Sequence, residues 1–392
     1  MGFQHLDRHG IWRIATSLLL SGAMAGPLAA QEGAGVTASP TVATETAETE
    51  TYWTPELLSQ ATPPALPTPA ETGPQDLPQG FELVTPKVTE QVWAGDGADG
   101  ALPSVEIGDA LERPIAFDDT PFEDDGRGAA TEAHSSFGAY FTTTRVIPST
   151  APRAYPFRTA GKLFFRDPRR NTNHVCSAAV LRPRLVATAG HCVTRPSTNA
   201  SNRYFFTNFL FVPAYDNGVA PYGRWTSSQQ WVSNDWHHST GSVPNKGDIA
   251  ILVMRDQAIN GATRKIGNVT GWLGWRTNAL SKNHLTMLGY PCNIDSCRKM
   301  QMTNAGVFAA GGQNTWIYGS AGRGGHSGGP WIQDFGVAGA GAPTNTLAKN
   351  YLVGITSYGP TATEPKYLGA SNLGSNFTSL INSACGASSG NC

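Results

Sequence analysis

The stretch AGRGGHSGGP, residues 321–330, sets a serine among glycines. A serine hydroxyl is a weak nucleophile, so to attack a carbonyl Ser327 needs an adjacent base and preorganised donors for the oxyanion that forms. Gly324, Gly325, Gly328 and Gly329 let the backbone turn tightly and bring N–H groups close to a bound group. A glycine-rich turn with an incidental serine is the plainer alternative. VATAGHC offers the base: His191 ends a strand-like run beside Cys192. NKGDIAILVM offers an orienting acid, because Asp248 opens a strand that is otherwise almost wholly apolar. Its carboxylate is drawn inside, needs a partner there, and a histidine N–H would serve. Asp235, in the polar, loop-like SNDWHH, is the rival acid.

These groups act together only if the surrounding elements bring them to one place. From about Ala139 the chain alternates short apolar runs with turn residues: KLFF, CSAAVL, LVATAG, YFFTNFLFV, DIAILVM, HLTMLGY, TWIYG and YLVGITSYG each read as strands. Only the end reads as helix, where Phe377, Leu380 and Ile381 recur at i, i+3 and i+4. The pattern predicts an all-β antiparallel barrel or sandwich with one short C-terminal helix, and no repeat of fixed period is visible. Composition agrees: 15% charged residues, 44 Gly and 27 Pro suit a loop-rich β protein better than a helical bundle.

The net charge of −1 hides a division, since residues 31–130 carry 19 Asp/Glu against 3 Lys/Arg and residues 131–392 carry 9 against 23. The two parts are expected to attract each other. The basic residues are scattered and no nucleic-acid-binding motif accompanies them, which argues against a nucleic-acid partner. At the N-terminus, Arg8 and Arg13 precede the apolar run IATSLLLSGAMAG and the small-residue stretch PLAAQE. That is the layout of a secretory signal peptide over residues 1–30, cut after Ala30 or, alternatively, Ala25; the run is too short to span a bilayer, which takes about 20 apolar residues. Residues 31–137 are rich in Thr, Pro, Ala and Glu and cannot bury enough apolar surface to offset the entropy of ordering. They read as a largely disordered acidic segment in which patches such as FELV and QVW dock locally. The six cysteines, Cys176, Cys192, Cys292, Cys297, Cys385 and Cys392, all follow that segment. An even number in an exported chain implies disulfides; 15 connectivities exist, and the short separations favour pairing in chain order. The spacings match no zinc pattern.

TAGHC, DIAIL and GHSGGP, in the order His, Asp, Ser, resemble the trypsin-like (chymotrypsin-fold) serine peptidases over roughly residues 140–385. AYPFR ahead of the first strands and GYP before the second half are closest in texture to the bacterial glutamyl-endopeptidase-like branch. The resemblance implies two six-stranded antiparallel β-barrels over residues 138–392, with the site in the cleft between them and no metal or organic cofactor. It implies that His191 is general base and then acid, that Asp248 orients it, that Ser327 is the nucleophile, and that the N–H groups of Gly325 and Ser327 form the oxyanion hole. It also implies a Cys176–Cys192 disulfide around the histidine loop, and a strand edge at Ser357, Tyr358 and Gly359 that pairs with the substrate backbone, Ser357 lying beside Asp248.

Departures from the family pattern matter as much. Where zymogen-activated members carry an aspartate before the nucleophile this chain has His326, so their amine-triggered switch is absent or different; His326 reads as a polar residue satisfied by neighbouring backbone, with pH sensing as the alternative. The position of the pocket floor is Ala321, which disfavours Arg or Lys, and Gly322 and Thr356 replace the residues of the glutamyl-specific pocket. Arg323 stands where one end of a family disulfide would be, and reads as solvated surface or as a rim charge. The expected protein is an exported serine endopeptidase acting on proteins or peptides, kept latent by its own acidic pro-segment, with TTTRVIP a processing site at Arg145. A catalytically silent binding protein on the same fold and an esterase using the same residues are the alternatives.

Overall fold

The computed structural model describes residues 35–41, 45–64, 67, 138–336 and 350–392, together with short strands at 32–33, 92–93, 113–114 and 132–134. The expected signal peptide and the FELV patch lie outside the described residues.

Twelve strands build the body. The first six are β1 (Ala160–Asp167), β2 (Thr172–Val180), β3 (Leu185–Thr188), β4 (Thr207–Pro213), β5 (Trp225–Ser233) and β6 (Ala250–Met254). They pair antiparallel in the order β5-β4-β1-β2-β3-β6, and β6 returns to β5 to close a barrel. The second six are β7 (His284–Gly289), β8 (Gln301–Gly312), β9 (Thr315–Gly319), β10 (Pro330–Gln333), β11 (Tyr351–Tyr358) and β12 (Tyr367–Asn372). Their order is β11-β10-β7-β8-β9-β12, closed by β12 on β11. The two orders are the same, although the sequences show no repeat. Closure removes the exposed edges that an open sheet of this size would carry.

The runs read as strands form strands, with one division: YFFTNFLFV breaks into Tyr204–Phe205 and β4, close to Asn208, whose φ is +54°. Helix α3 (Ser375–Gly386) buries Phe377, Leu380, Ile381 and Ala384, the stripe its spacing predicts, and Phe377 meets Trp275 edge-on at 5.4 Å. No helix among the described residues is long and apolar enough to cross a membrane.

Parts of the acidic segment dock on the first barrel. Strand Val36–Ala38 pairs with Trp231, Val232 and Ser233 at the far end of β5. Helices α1 (Glu45–Tyr52) and α2 (Pro55–Gln60) follow, the second capped by Thr54, whose hydroxyl accepts from the Leu57 amide with Pro55 in the first turn. Between them Trp53 is 1% exposed: it packs against Phe164 and donates its indole N–H to the Asn208 carbonyl. Leu58 is buried, and the Tyr52 hydroxyl donates to Asn173 Oδ1 at 2.6 Å. These contacts are apolar and hydrogen-bonded, and two barrel cations join them: the Arg166 guanidinium lies 5.1 Å over the Tyr52 ring, and Arg224 donates to the Trp53 carbonyl at 3.1 Å. Of the expected docking patches, QVW contributes the strand Val92–Trp93, paired with Trp275 and Arg276.

Candidate active site

His191 sits in a single 3-10 turn that follows β3, and Asp248 lies two residues before β6, the strand that pairs with β3. The pairing brings acid and imidazole together. Asp248 is fully buried; its Oδ2 is 2.8 Å from His191 Nδ1, and its Oδ1 accepts the His191 backbone N–H at 2.8 Å. Ser357 Oγ donates to Asp248 Oδ2 at 2.6 Å. Three donors thus meet one buried carboxyl group, so neither of its oxygens is left without a partner. Ser357 reaches it because β11 bulges there, between Thr356 opposite Ala370 and Tyr358 opposite Gly369, and a bulge re-aims the side chain of the extra residue. Gly190 leaves the space this needs: a Cβ there would lie 2.6 Å from Trp236 and 3.1 Å from Asp248 Oδ1. The rival Asp235 is 43% exposed and pairs with Lys246, away from the imidazole.

The serine arrives from the second barrel. Ser327 precedes β10 and is stapled on both sides: Ser177 N–H of β2 donates to the Ser327 carbonyl at 2.7 Å, and Gly328 N–H donates to the Thr356 carbonyl of β11 at 2.9 Å. Gly328, at φ +78°, packs against Thr188 and Ala189 just ahead of the histidine turn, where a Cβ would lie 2.1 Å from Thr188 Oγ1. Ser327 Oγ and His191 Nε2 are both buried, and neither has a hydrogen-bond partner among the described residues. The acid–imidazole link is closed and the serine–imidazole link is open, which is common when no substrate tightens the site.

Peptide geometry orients the two N–H groups of the glycine loop. Gly324 C=O accepts from Cys292 N–H at 2.7 Å, and His326 C=O accepts from Gly329 N–H at 2.9 Å. In a trans peptide the N–H points opposite to the C=O. The following N–H groups, those of Gly325 and Ser327, therefore point away from these contacts, and neither bonds to a described group. Gly325, at φ +95°, tolerates no side chain: a Cβ would be 2.5 Å from the Tyr290 carbonyl and 2.8 Å from Cys292 Sγ. Ser177 completes the brace, accepting from Tyr290 N–H at 3.0 Å and donating to the Gly325 carbonyl at 2.8 Å. No sequence reading singled out Ser177 or the Cys292 amide; only GYP, just before Cys292, marked the neighbourhood.

His326 is 1% exposed and lies among Gly289, Gly322 and Gly329, with Nδ1 3.0 Å from Thr356 Oγ1. The imidazole meets that side-chain hydroxyl and its own backbone, while Nε2 has no partner among the described residues. Burial lowers its imidazole to about 4, so it is neutral near pH 7. Ala321 is 6% exposed; its amide donates to Thr143 Oγ1 and its carbonyl accepts from Asn293. The Gly322 amide donates to Ser320 Oγ at 3.1 Å. Arg323 is half-buried and donates to the carbonyls of Ala362 at 3.0 Å and Thr363 at 2.8 Å, tying the glycine loop to the segment before β12. The Tyr358 ring turns into the second barrel, its hydroxyl 3.0 Å from Thr315 Oγ1, and Gly359 follows at the strand end, packed on Tyr367 and Leu368.

The disulfides pair in chain order, Cys176–Cys192, Cys292–Cys297 and Cys385–Cys392. Among the described residues the group of possible metal ligands is Cys176, His191 and Cys192, and its two sulfurs are joined to each other, so neither offers a thiolate.

A family model described as Trypsin matches residues 149–381. Curated relatives include an extracellular metalloprotease of Bacillus subtilis, 26% identical over 153 residues, which are 38% of this chain and 43% of that protein. They also include a glutamyl endopeptidase of Bacillus licheniformis, 26% identical over 190 residues, 48% of this chain and 51% of that protein. The chain thus spans about half the length of the curated relatives it matches. The crystal structure of the protease Anisep from Arthrobacter nicotinovorans aligns at 27% identity and a TM-score of 0.47, covering 58% of this chain and 94% of that one.

Proposed function

The chain belongs to the trypsin family, and on that premise we propose that it is an exported serine endopeptidase with Ser327 as nucleophile, His191 as base and Asp248 as orienting acid. The observation that carries this reading is the buried Asp248 carboxylate, which takes His191 Nδ1 and leaves Nε2 without a partner among the described residues. With Nδ1–H donated to Asp248, Nε2 bears the lone pair that a serine hydroxyl can use.

The reaction follows from these positions. Ser327 Oγ gives its proton to His191 Nε2 and attacks the peptide carbonyl carbon. The oxygen takes up negative charge opposite the outward N–H groups of Gly325 and Ser327. The C–N bond breaks as His191 returns the proton to the leaving amine, and water, deprotonated by the same imidazole, releases the acyl group. Substrate backbone pairs along Ser357, Tyr358 and Gly359; since the Tyr358 ring faces inward, recognition there is by main chain. Ala321, Gly322 and Thr356 shape a pocket without a carboxylate, and no cofactor takes part.

Export rests on the expected signal peptide over residues 1–30 and on three disulfides. Residues 31–137 act as a pro-segment. Processing at Arg145 demands more than access to a loop: Arg145 ends the strand Tyr140–Arg145, which is zipped to β8, and its guanidinium holds Asp295. That strand must peel from β8 before a protease can cut after Arg145.

The test is intact-protein mass spectrometry after exposure to a serine-reactive fluorophosphonate, comparing the native chain with Ser327→Ala. A single adduct lost in the variant supports the reading, and peptide against ester turnover separates a peptidase from an esterase. No adduct in either protein, before or after removal of the leader, overturns it in favour of a silent binding protein.

A further inference from the structure

Residues 61–64 of the docked leader run beside the candidate site. Thr62 forms a parallel bridge to His174 on the edge of β2: its amide donates to the Asn173 carbonyl at 3.1 Å, and its carbonyl accepts from Val175 N–H at 2.9 Å. Pro63 then lies against Gly324, where a Cβ would be 3.0 Å from Pro63 Cβ. Gly324 immediately precedes Gly325, and Ser177, two residues beyond Val175 on β2, donates its amide to the Ser327 carbonyl. The segment therefore bridges β2 and the oxyanion loop. This is the β2 side of the nucleophile; β11 holds the other side through Gly328 and Thr356.

A peptide attacked at its carbonyl by Ser327 must extend both ways from the scissile bond. If its acyl half lies along β11, its leaving half crosses Gly324 toward the edge of β2. We propose that the chain holds its own residues 61–64 as an inhibitory strap on this edge, against residues 173–175 and Gly324, where the leaving half of a peptide would otherwise lie. The inference rests on the endopeptidase reading above and names the regulation of the same site.

Three features make the segment a strap and not a passing contact. It is anchored upstream by Trp53, buried in the first barrel, and by Tyr52 on Asn173. Pro63 and Pro64 hold it extended at little entropic cost, and the residue before a proline is itself pressed into extended backbone. Tethering sets its effective concentration in the millimolar range, so a free peptide must outcompete it. A small ester whose leaving group ends at the scissile bond does not reach this edge and is spared that competition.

The experiment compares the full chain with Thr62→Pro, which lacks the amide donated to Asn173, and with Trp53→Ala, which lacks the anchor. Each is assayed on a small phenyl ester and on an internally quenched peptide with at least three residues after a cleavage site mapped in denatured casein. The expected result is a rise of tenfold or more in kcat/KM for the peptide in both variants, with ester turnover unchanged within twofold. Hydrogen exchange supplies a readout independent of turnover: the Val175 amide loses protection in the variants while the Ser177 amide keeps it. An unchanged peptide-to-ester ratio, or unchanged Val175 protection, overturns the strap while fluorophosphonate labelling of Ser327 persists. Failure of that labelling in every protein overturns the endopeptidase reading instead, and the strap falls with it.

Discussion

Gly325→Ala separates an oxyanion loop held by packing from one held by an ion pair. At φ +95° an alanine carries backbone strain of about 1–3 kcal/mol. Its Cβ would also lie 2.5 Å from the Tyr290 carbonyl, 2.8 Å from Cys292 Sγ and 3.2 Å from Cys292 N, and all three belong to the rigid wall that holds the Gly324 carbonyl. The loop must therefore move outward, breaking the 2.7 Å bond from Cys292 N–H to Gly324 C=O and turning the Gly325 N–H off its line. Loss of one such donor costs about 10²–10³ in kcat, or about 2.7–4 kcal/mol. Steady-state ester hydrolysis is expected to show that loss in kcat with KM within threefold, and thermal unfolding a fall of a few degrees. Gly306→Ala is the control, since nothing lies within 4 Å of its added Cβ, and both measurements should stay at the native values. A folded Gly325→Ala protein with kcat within threefold of native would refute the reasoning, because the N–H would then be dispensable or aimed by something other than Cys292.

Two further substitutions follow from the same surroundings. Arg323→Ala removes the donors to Ala362 and Thr363, each worth about 0.5–1.5 kcal/mol and nearer the low end for an exposed group; a three- to tenfold rise in KM at unchanged kcat is expected from the loosened rim, and Michaelis–Menten parameters identical to native would show that the tie carries no function. His326→Asn tests pH dependence: the folded imidazole is held near 4 by burial, whereas the unfolded chain takes its proton near 6.5. Between those values unfolding takes up a proton, so the His326 contribution is intact above pH 6.5 and declines as pH falls toward 4, by about 3 kcal/mol in total at 1.36 kcal/mol per pH unit. Melting temperature against pH should thus be flatter in the variant from pH 6.5 to 4, although His237, also near 4, keeps its own share of the slope; parallel curves would exclude His326 as a source.

The strands visible in the sequence are those whose side chains are apolar on both faces, such as AILVM of β6. Those that were not visible are β5, β8, β10 and β12, and their residues explain why. In β5 three members of the polar run SSQQ are buried because they bond inward: Ser227 Oγ donates to the Val253 carbonyl, Gln230 donates to Ser227, and Gln229 donates to the Ser39 carbonyl of the leader. Hydropathy counts such residues as surface, whereas a closed barrel satisfies them internally. In β12, YLGASN is small because Gly369 leaves room for the Tyr358 ring, which a Cβ would approach to 2.2 Å. That demand comes from a neighbouring strand and leaves no periodic mark.

The site divides along the same line. His191, Asp248 and Ser327 were legible because each stands beside a local signature: a half-cystine, an apolar run, a cluster of glycines. What aims them was not: the Cys292 N–H is a main-chain donor that any residue type offers, and the Ser177 hydroxyl and Arg323 guanidinium bond to main-chain groups of distant segments that leave no mark in the sequence. This bears on His326. With an aspartate in that place, an ion pair could position the loop and be switched by proteolysis; here the Gly324 carbonyl is fixed by Cys292 N–H, inside a loop closed by the Cys292–Cys297 disulfide, and the ring behind Ser327 is neutral and packed on glycines. An oxyanion loop assembled by packing is in place before any cut is made. On the proposed reading, control of such a site falls to what occupies the cleft, and Pro63 of the leader lies against it at Gly324.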